Sequence, residues 1–174
     1  MQGYGMLIAT VLGAVVSQPM YRFLSSDPGE FGSFASIVAV SAMTGGCFAG
    51  GLAWGVLGWG VNALLLGAIS AAAIIFAFVG VSLQIEGAVG QLASVELLRA
   101  AVLIGVTFAW MAVAADFQIV HALWALFLSF AVPVMPFIVM ARFVKPSRQW
   151  VTQRLGYGFL GAIWLSMAGL PLLL

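Results

Sequence analysis

One histidine, one cysteine, five acidic and six basic side chains are all the ionisable chemistry that 174 residues offer here, tyrosines aside. Asp116 and His121 are the two that could work together. An imidazole near a carboxylate is an arrangement used for proton-linked transport, and these two flank a short connection between apolar runs, where both could equally sit solvated at a membrane edge. The other four acids, Asp27, Glu30, Glu86 and Glu96, fall on the opposite side of the expected topology, so no Ser-His-Asp set or intramembrane aspartate pair can be assembled. Cys47 cannot close an intrachain disulfide, and no Cys/His cluster has the spacing of a zinc or iron–sulfur site. A single histidine excludes bis-histidine haem ligation within one subunit. The expectation is a protein that is not an enzyme and holds neither metal nor cofactor.

The elements that must position these residues follow from composition. Apolar residues make up 64% of the chain and charged ones 6%, against about 25% charged in a soluble domain. This predicts an all-α integral membrane protein, a compact bundle of about six transmembrane helices with no soluble domain, and residues 1–174 forming a single transmembrane domain. Apolar runs of roughly 20 residues give segments at 4–23, 32–53, 58–83, 97–116, 119–141 and 156–173. The stretch 32–83 carries no charge and is about twice what one span needs, so it must reverse once. Trp54 to Gly60, rich in glycine with a tryptophan at each side, is the expected place. Residues 84–96 read either as a short amphipathic segment along the interface, with Ile85, Val89, Leu92 and Val95 opposite Glu86, Gln91, Ser94 and Glu96, or as a plain loop. The first apolar run has no basic leader and no convincing cleavage site, so it is expected to persist as a helix.

Orientation comes from the basic residues. Arg22, Arg99, Arg142, Lys145, Arg148 and Arg154 all fall at one side of the six-span arrangement, which the positive-inside rule makes cytoplasmic. Both termini are then outside, and a bacterial inner membrane is the expected location. Tyr4, Trp54, Trp59 and Trp124 mark the outer edge, Tyr21, Trp150 and Tyr157 the inner one. The two halves show no convincing inverted repeat of the transporter kind.

Three groups of residues are candidates for function or assembly. Gly46/Gly50 and Gly51/Gly55 have small-xxx-small spacing, which lets helix backbones approach closely in lipid; they are candidates for a helix interface within the chain or between subunits. Pro19, Pro133 and Pro136 each remove a helical N–H and free a carbonyl, and two prolines three residues apart predict a break in the fifth segment. With Gln18, Thr44 and Asn62 they are candidates for a pathway or hinge. Gln18, Tyr21 and Arg22 share a face near the cytoplasmic end of the first segment. Arg99, at the start of the fourth segment, has Glu96 three residues earlier as a natural ion pair, read as an anchor at the membrane edge.

A net charge of +1 excludes nucleic acid as a partner and leaves the bilayer and other membrane subunits. Two function classes remain. The first is a non-catalytic transport or pore subunit of an oligomeric inner-membrane assembly. The second is a structural subunit scaffolding a larger secretion, respiratory or photosynthetic complex. They differ in one testable respect: a conduit would turn Gln18, Thr44, Asn62 and the Pro133 region into one cavity, whereas a scaffold would bury small residues against neighbours.

Overall fold

A long apolar run can satisfy its backbone away from water only by bonding to itself, and the helix is the local solution. The computed structural model describes residues 19–24, 27–56, 58–114, 116–141, 143–154 and 156, and four long helices dominate it. They are α1 (Phe31–Gly55), entered through a 3-10 turn at Pro28–Glu30, α2 (Val61–Ile85), α3 (Val89–Val113) and α4 (Ile119–Met140). All four are long and apolar enough to cross a membrane. Residues 19–23 and 148–154 are also helical. Most of the first and last predicted segments, Gln18 included, lie outside the described residues.

Short connections reverse the chain between consecutive helices, which makes neighbours antiparallel. The α1–α2 reversal uses Gly58 and Gly60 at φ of 64° and 55°, and the α2–α3 reversal uses Gly87 at 69°. These are left-handed conformations that a Cβ would strain. α2 is the central element: it packs on both α1 and α4, while α3 leans chiefly on α4. The core gathers Phe34 and Val38 of α1, Phe76 and Val79 of α2, Val134 of α4 and Met20 from the helical residues 19–23. By contrast, Val95 is the one buried residue of α3.

Hydroxyls along these helices bond back to their own backbone. Thr44, Ser70, Ser82 and Thr107 each donate to the carbonyl four residues earlier, at 2.7–3.0 Å. This is how a polar side chain is satisfied where water is scarce.

Two expectations are corrected. Residues 84–96 do not form a separate interfacial segment or loop: α2 runs to Ile85, a turn follows at 86–88, and α3 begins at Val89. One glycine at positive φ completes the reversal, after which Gln91, Leu92, Ala93 and Glu96, all good helix formers, continue straight into the apolar run. The predicted helix 97–116 therefore starts eight residues earlier and ends at Val113. Nor does α4 break at its prolines. It is continuous through both Pro133 and Pro136, because each proline removes one backbone bond and the bonds flanking it carry the helix on.

At one end of the bundle the segment after α4 folds back on the start of α1. The Val144 N–H donates to the Gly32 carbonyl (3.2 Å) and Ser36 Oγ to that of Val144 (2.9 Å). Trp150 meets the Phe34 ring edge-on at 4.9 Å. Arg154 donates to Glu30 at 2.8 Å, with its guanidinium 3.8 Å from the centroid of the Phe23 ring. Tyr21 bonds to Gln84 at the end of α2. We refer to this as the clasped end.

Candidate functional site

The predicted Glu96–Arg99 pair forms, with Arg99 Nε donating to Glu96 Oε2 at 3.0 Å. Its position is not the one expected. Because α3 starts at Val89, Arg99 stands ten residues into the helix, roughly 15 Å along its axis. The neighbouring helices fix the same height independently. The guanidinium lies 5.5 Å from the ring centroid of Phe76 and 5.4 Å from that of Phe130, and the two rings meet edge-to-face at 5.5 Å and 71°. Phe76 is nine residues before the end of α2, and Phe130 ten before the end of α4. Side chains lean toward the N-terminus of their own helix, which for α2 and α4 is away from the clasped end. The charge therefore stands about 13–15 Å along the helices from the clasped end, flanked by two aromatic rings that favour a cation electrostatically.

The pair is not enclosed. The Arg99 and Glu96 side chains are 33% and 49% exposed, and Leu97, Ile104, Phe108 and Met111 carry the exposed surface along the rest of α3. Glu96 occupies Nε, while the terminal guanidinium nitrogens of Arg99 have no hydrogen-bond partner among the described residues. Guanidinium donors without a partner among the described residues and a half-exposed carboxylate thus sit together at mid-height. No known protein family, curated protein or solved structure matches the chain. The site must be read from its own geometry.

The glycine candidates separate into two roles. A Cβ on Gly46 would stand 2.8 Å from the carbonyl oxygen of Gly67, and a Cβ on Gly67 would stand 2.6 Å from that of Gly46. One turn further along α1, a Cβ on Gly50 would meet the Ala63 carbonyl at 3.1 Å. These are backbone-to-backbone contacts of antiparallel helices, and they lie within the chain. Gly51 and Gly55 have nothing within 4 Å of a built Cβ. Gly67 escaped the sequence reading although Ala63, Gly67 and Ala71 repeat the same four-residue spacing.

The pathway candidates do not converge. Thr44 is exposed at mid-height of α1 with its hydroxyl bonded to Val40. Asn62 is half-buried at the far end of α2, and Pro19 and Pro133 are fully buried while Pro136 is exposed. Asp116 and His121 do not form an ion pair. His121 instead closes the start of α4: its Nδ1 accepts the Gln118 backbone N–H at 3.0 Å, completing a reciprocal capping box. Its ring stacks on Trp110 at 4.7 Å and lies 5.8 Å from Phe117. Among the described residues no group of three metal-ligating side chains comes together.

Proposed function

We propose that this chain is a non-catalytic integral subunit of an oligomeric membrane complex, and that its role is structural: it spans the bilayer and joins neighbouring subunits through α3. The carrying observation is the Glu96–Arg99 pair at mid-height on the most exposed helix. The absence of charge between Glu30 and Glu86 supports a reading in which the clasped end lies at one membrane surface and the pair lies within the hydrocarbon. A central Arg or acid costs roughly 2.5–3.5 kcal/mol on insertion scales, and a half-exposed pair there is favoured only if something polar covers it. A helix of another subunit, supplying acceptors to the guanidinium nitrogens that have no partner among the described residues, would do so.

The transport class draws less support, since Thr44, Asn62 and Pro133 occupy three separate places. Six spans, a bacterial inner membrane and outer termini complete the proposal, on the one-sided distribution of the five basic residues other than Arg99. Reporter fusions near position 57 and at 174 should read the outer side and those at 28, 90 and 147 the cytoplasmic side; a cytoplasmic C-terminus would refute it. For assembly, cross-linked membranes and native electrophoresis in mild detergent should give a species larger than the monomer. Glu96→Gln and Arg99→Gln should dissociate it while leaving a folded monomer. A wild type that is monomeric both in membranes and in detergent would refute the subunit reading.

A further inference from the structure

Between α1, α2 and the end of α4 runs a partly open slot of about 290 Å³. Ala35, Ala39 and Ala42 on α1 leave room along one wall, with Ala71, Ile75 and Phe78 of α2 on the other and Phe31 and Phe143 among the remaining lining residues. Its reach on α1, from Phe31 to Met43, is twelve residues, or roughly 18 Å. It therefore extends from the clasped end to mid-height. Its one polar side chain among the described residues, Ser82, already donates to the Phe78 carbonyl, so these residues ask for hydrocarbon.

The charge beside the slot is specific. Lys145 and Arg148 follow Phe143 by two and five residues, are exposed, and have no ion pair among the described residues, whereas Arg99 and Arg154 are each matched to a carboxylate. Basic side chains at a membrane surface attract anionic headgroups. We propose that the slot is a binding site for an anionic glycerophospholipid, with one acyl chain laid between α1 and α2 and the phosphate held near Lys145 and Arg148. This rests on the chain's lying in a bilayer, a premise that resistance to carbonate extraction tests separately, and it does not depend on the subunit reading.

The full-length protein, exchanged into equal amounts of phosphatidylglycerol and phosphatidylcholine and examined by native mass spectrometry, should retain one phosphatidylglycerol in at least tenfold preference. Lys145→Gln with Arg148→Gln should abolish the preference while some chain-driven retention of both lipids persists. Ala39→Phe should reduce retention of both lipids, and the milder Ala35→Leu provides a second test if Ala39→Phe does not fold. Equal retention of the two lipids by wild type would overturn the proposal. So would slot variants that keep full retention, or a wild type that retains no lipid and is stabilised by Ala39→Phe, which would show the slot to be an empty void or one filled by the chain itself.

Discussion

The α1–α2 contact and the outer face of α3 are opposite solutions to being a helix in an apolar protein. Where α1 meets α2, side chains have been removed until two backbones touch, with Gly46 and Gly67 each excluding a Cβ at the other's carbonyl. α3 buries only Val95 and carries an ion pair and large apolar side chains outward. In lipid no hydrophobic force joins helices, so close packing and polar contacts supply the association energy. The first pair uses close packing, within the chain. The second surface displays polar groups whose contacts the described residues leave incomplete, the observation on which the proposed subunit contact rests.

The comparison breaks first at the glycines. Gly46→Leu or Gly67→Leu should cost about 3 kcal/mol, the upper part of the overpacking range, read as a lower midpoint in denaturant titration of the detergent-solubilised protein. Gly51→Leu should stay within about 0.5 kcal/mol, as surface substitutions do, because nothing lies within 4 Å of that Cβ. Equal losses at Gly46 and Gly51 would mean that the second glycine pair also lies at an interface.

The pair on α3 should give a smaller and differently shaped response. Arg99→Ala removes the cation from Glu96, Phe76 and Phe130 and should destabilise the isolated subunit by about 1–2 kcal/mol, discounted from the buried-pair range because both side chains are partly exposed. The double replacement with Glu96→Ala should cost less than Arg99→Ala alone, since it leaves no unmatched carboxylate. Additive losses in that double-mutant cycle would show that the two charges act independently and that the depth argument fails.

Much of this was legible in the sequence, and the limit has a physical cause. Length and hydropathy are properties of a segment, so four long apolar helices could be read directly. Where α3 begins depended on a single backbone angle at Gly87 and on whether Gln91 to Glu96 would loop or wind, and that eight-residue shift moved Arg99 from a membrane edge to mid-height. Phe76 and Phe130 could not have been associated with Arg99 from spacing, since their meeting is set by how α2, α3 and α4 pack. Gly67 could have been found, because Ala63, Gly67 and Ala71 mirror the spacing on α1. His121 was singled out for its chemistry, while its reciprocal bonding with Gln118, three residues away, was the local signal that went unused.

That histidine gives the next, smaller test. His121→Ala removes a capping acceptor and the stacking on Trp110, and should cost about 1 kcal/mol, the usual size of a lost helix cap. Asp116→Asn should be silent by the same measurement. A larger effect at Asp116 than at His121, or a change in proton flux in reconstituted vesicles, would restore the carboxylate and imidazole as a functional pair.

The smallest expected effect is at the prolines of α4, and it separates a hinge from a tolerated irregularity. The helix is already continuous across Pro133 and Pro136, with Pro133 packed in the core and Pro136 exposed. Replacing Pro136 by Ala restores one N–H to the exposed side and disturbs no packing, so stability should change by less than about 0.5 kcal/mol. Pro133→Ala restores a bond but leaves a space the size of the lost ring atoms, so its gain and its cavity cost oppose each other. Both variants should assemble as wild type does. If instead Pro136→Ala alters assembly or a transport readout while leaving stability unchanged, the freed Val132 carbonyl is a working acceptor, and α4, rather than α3, is the face where this chain meets its function.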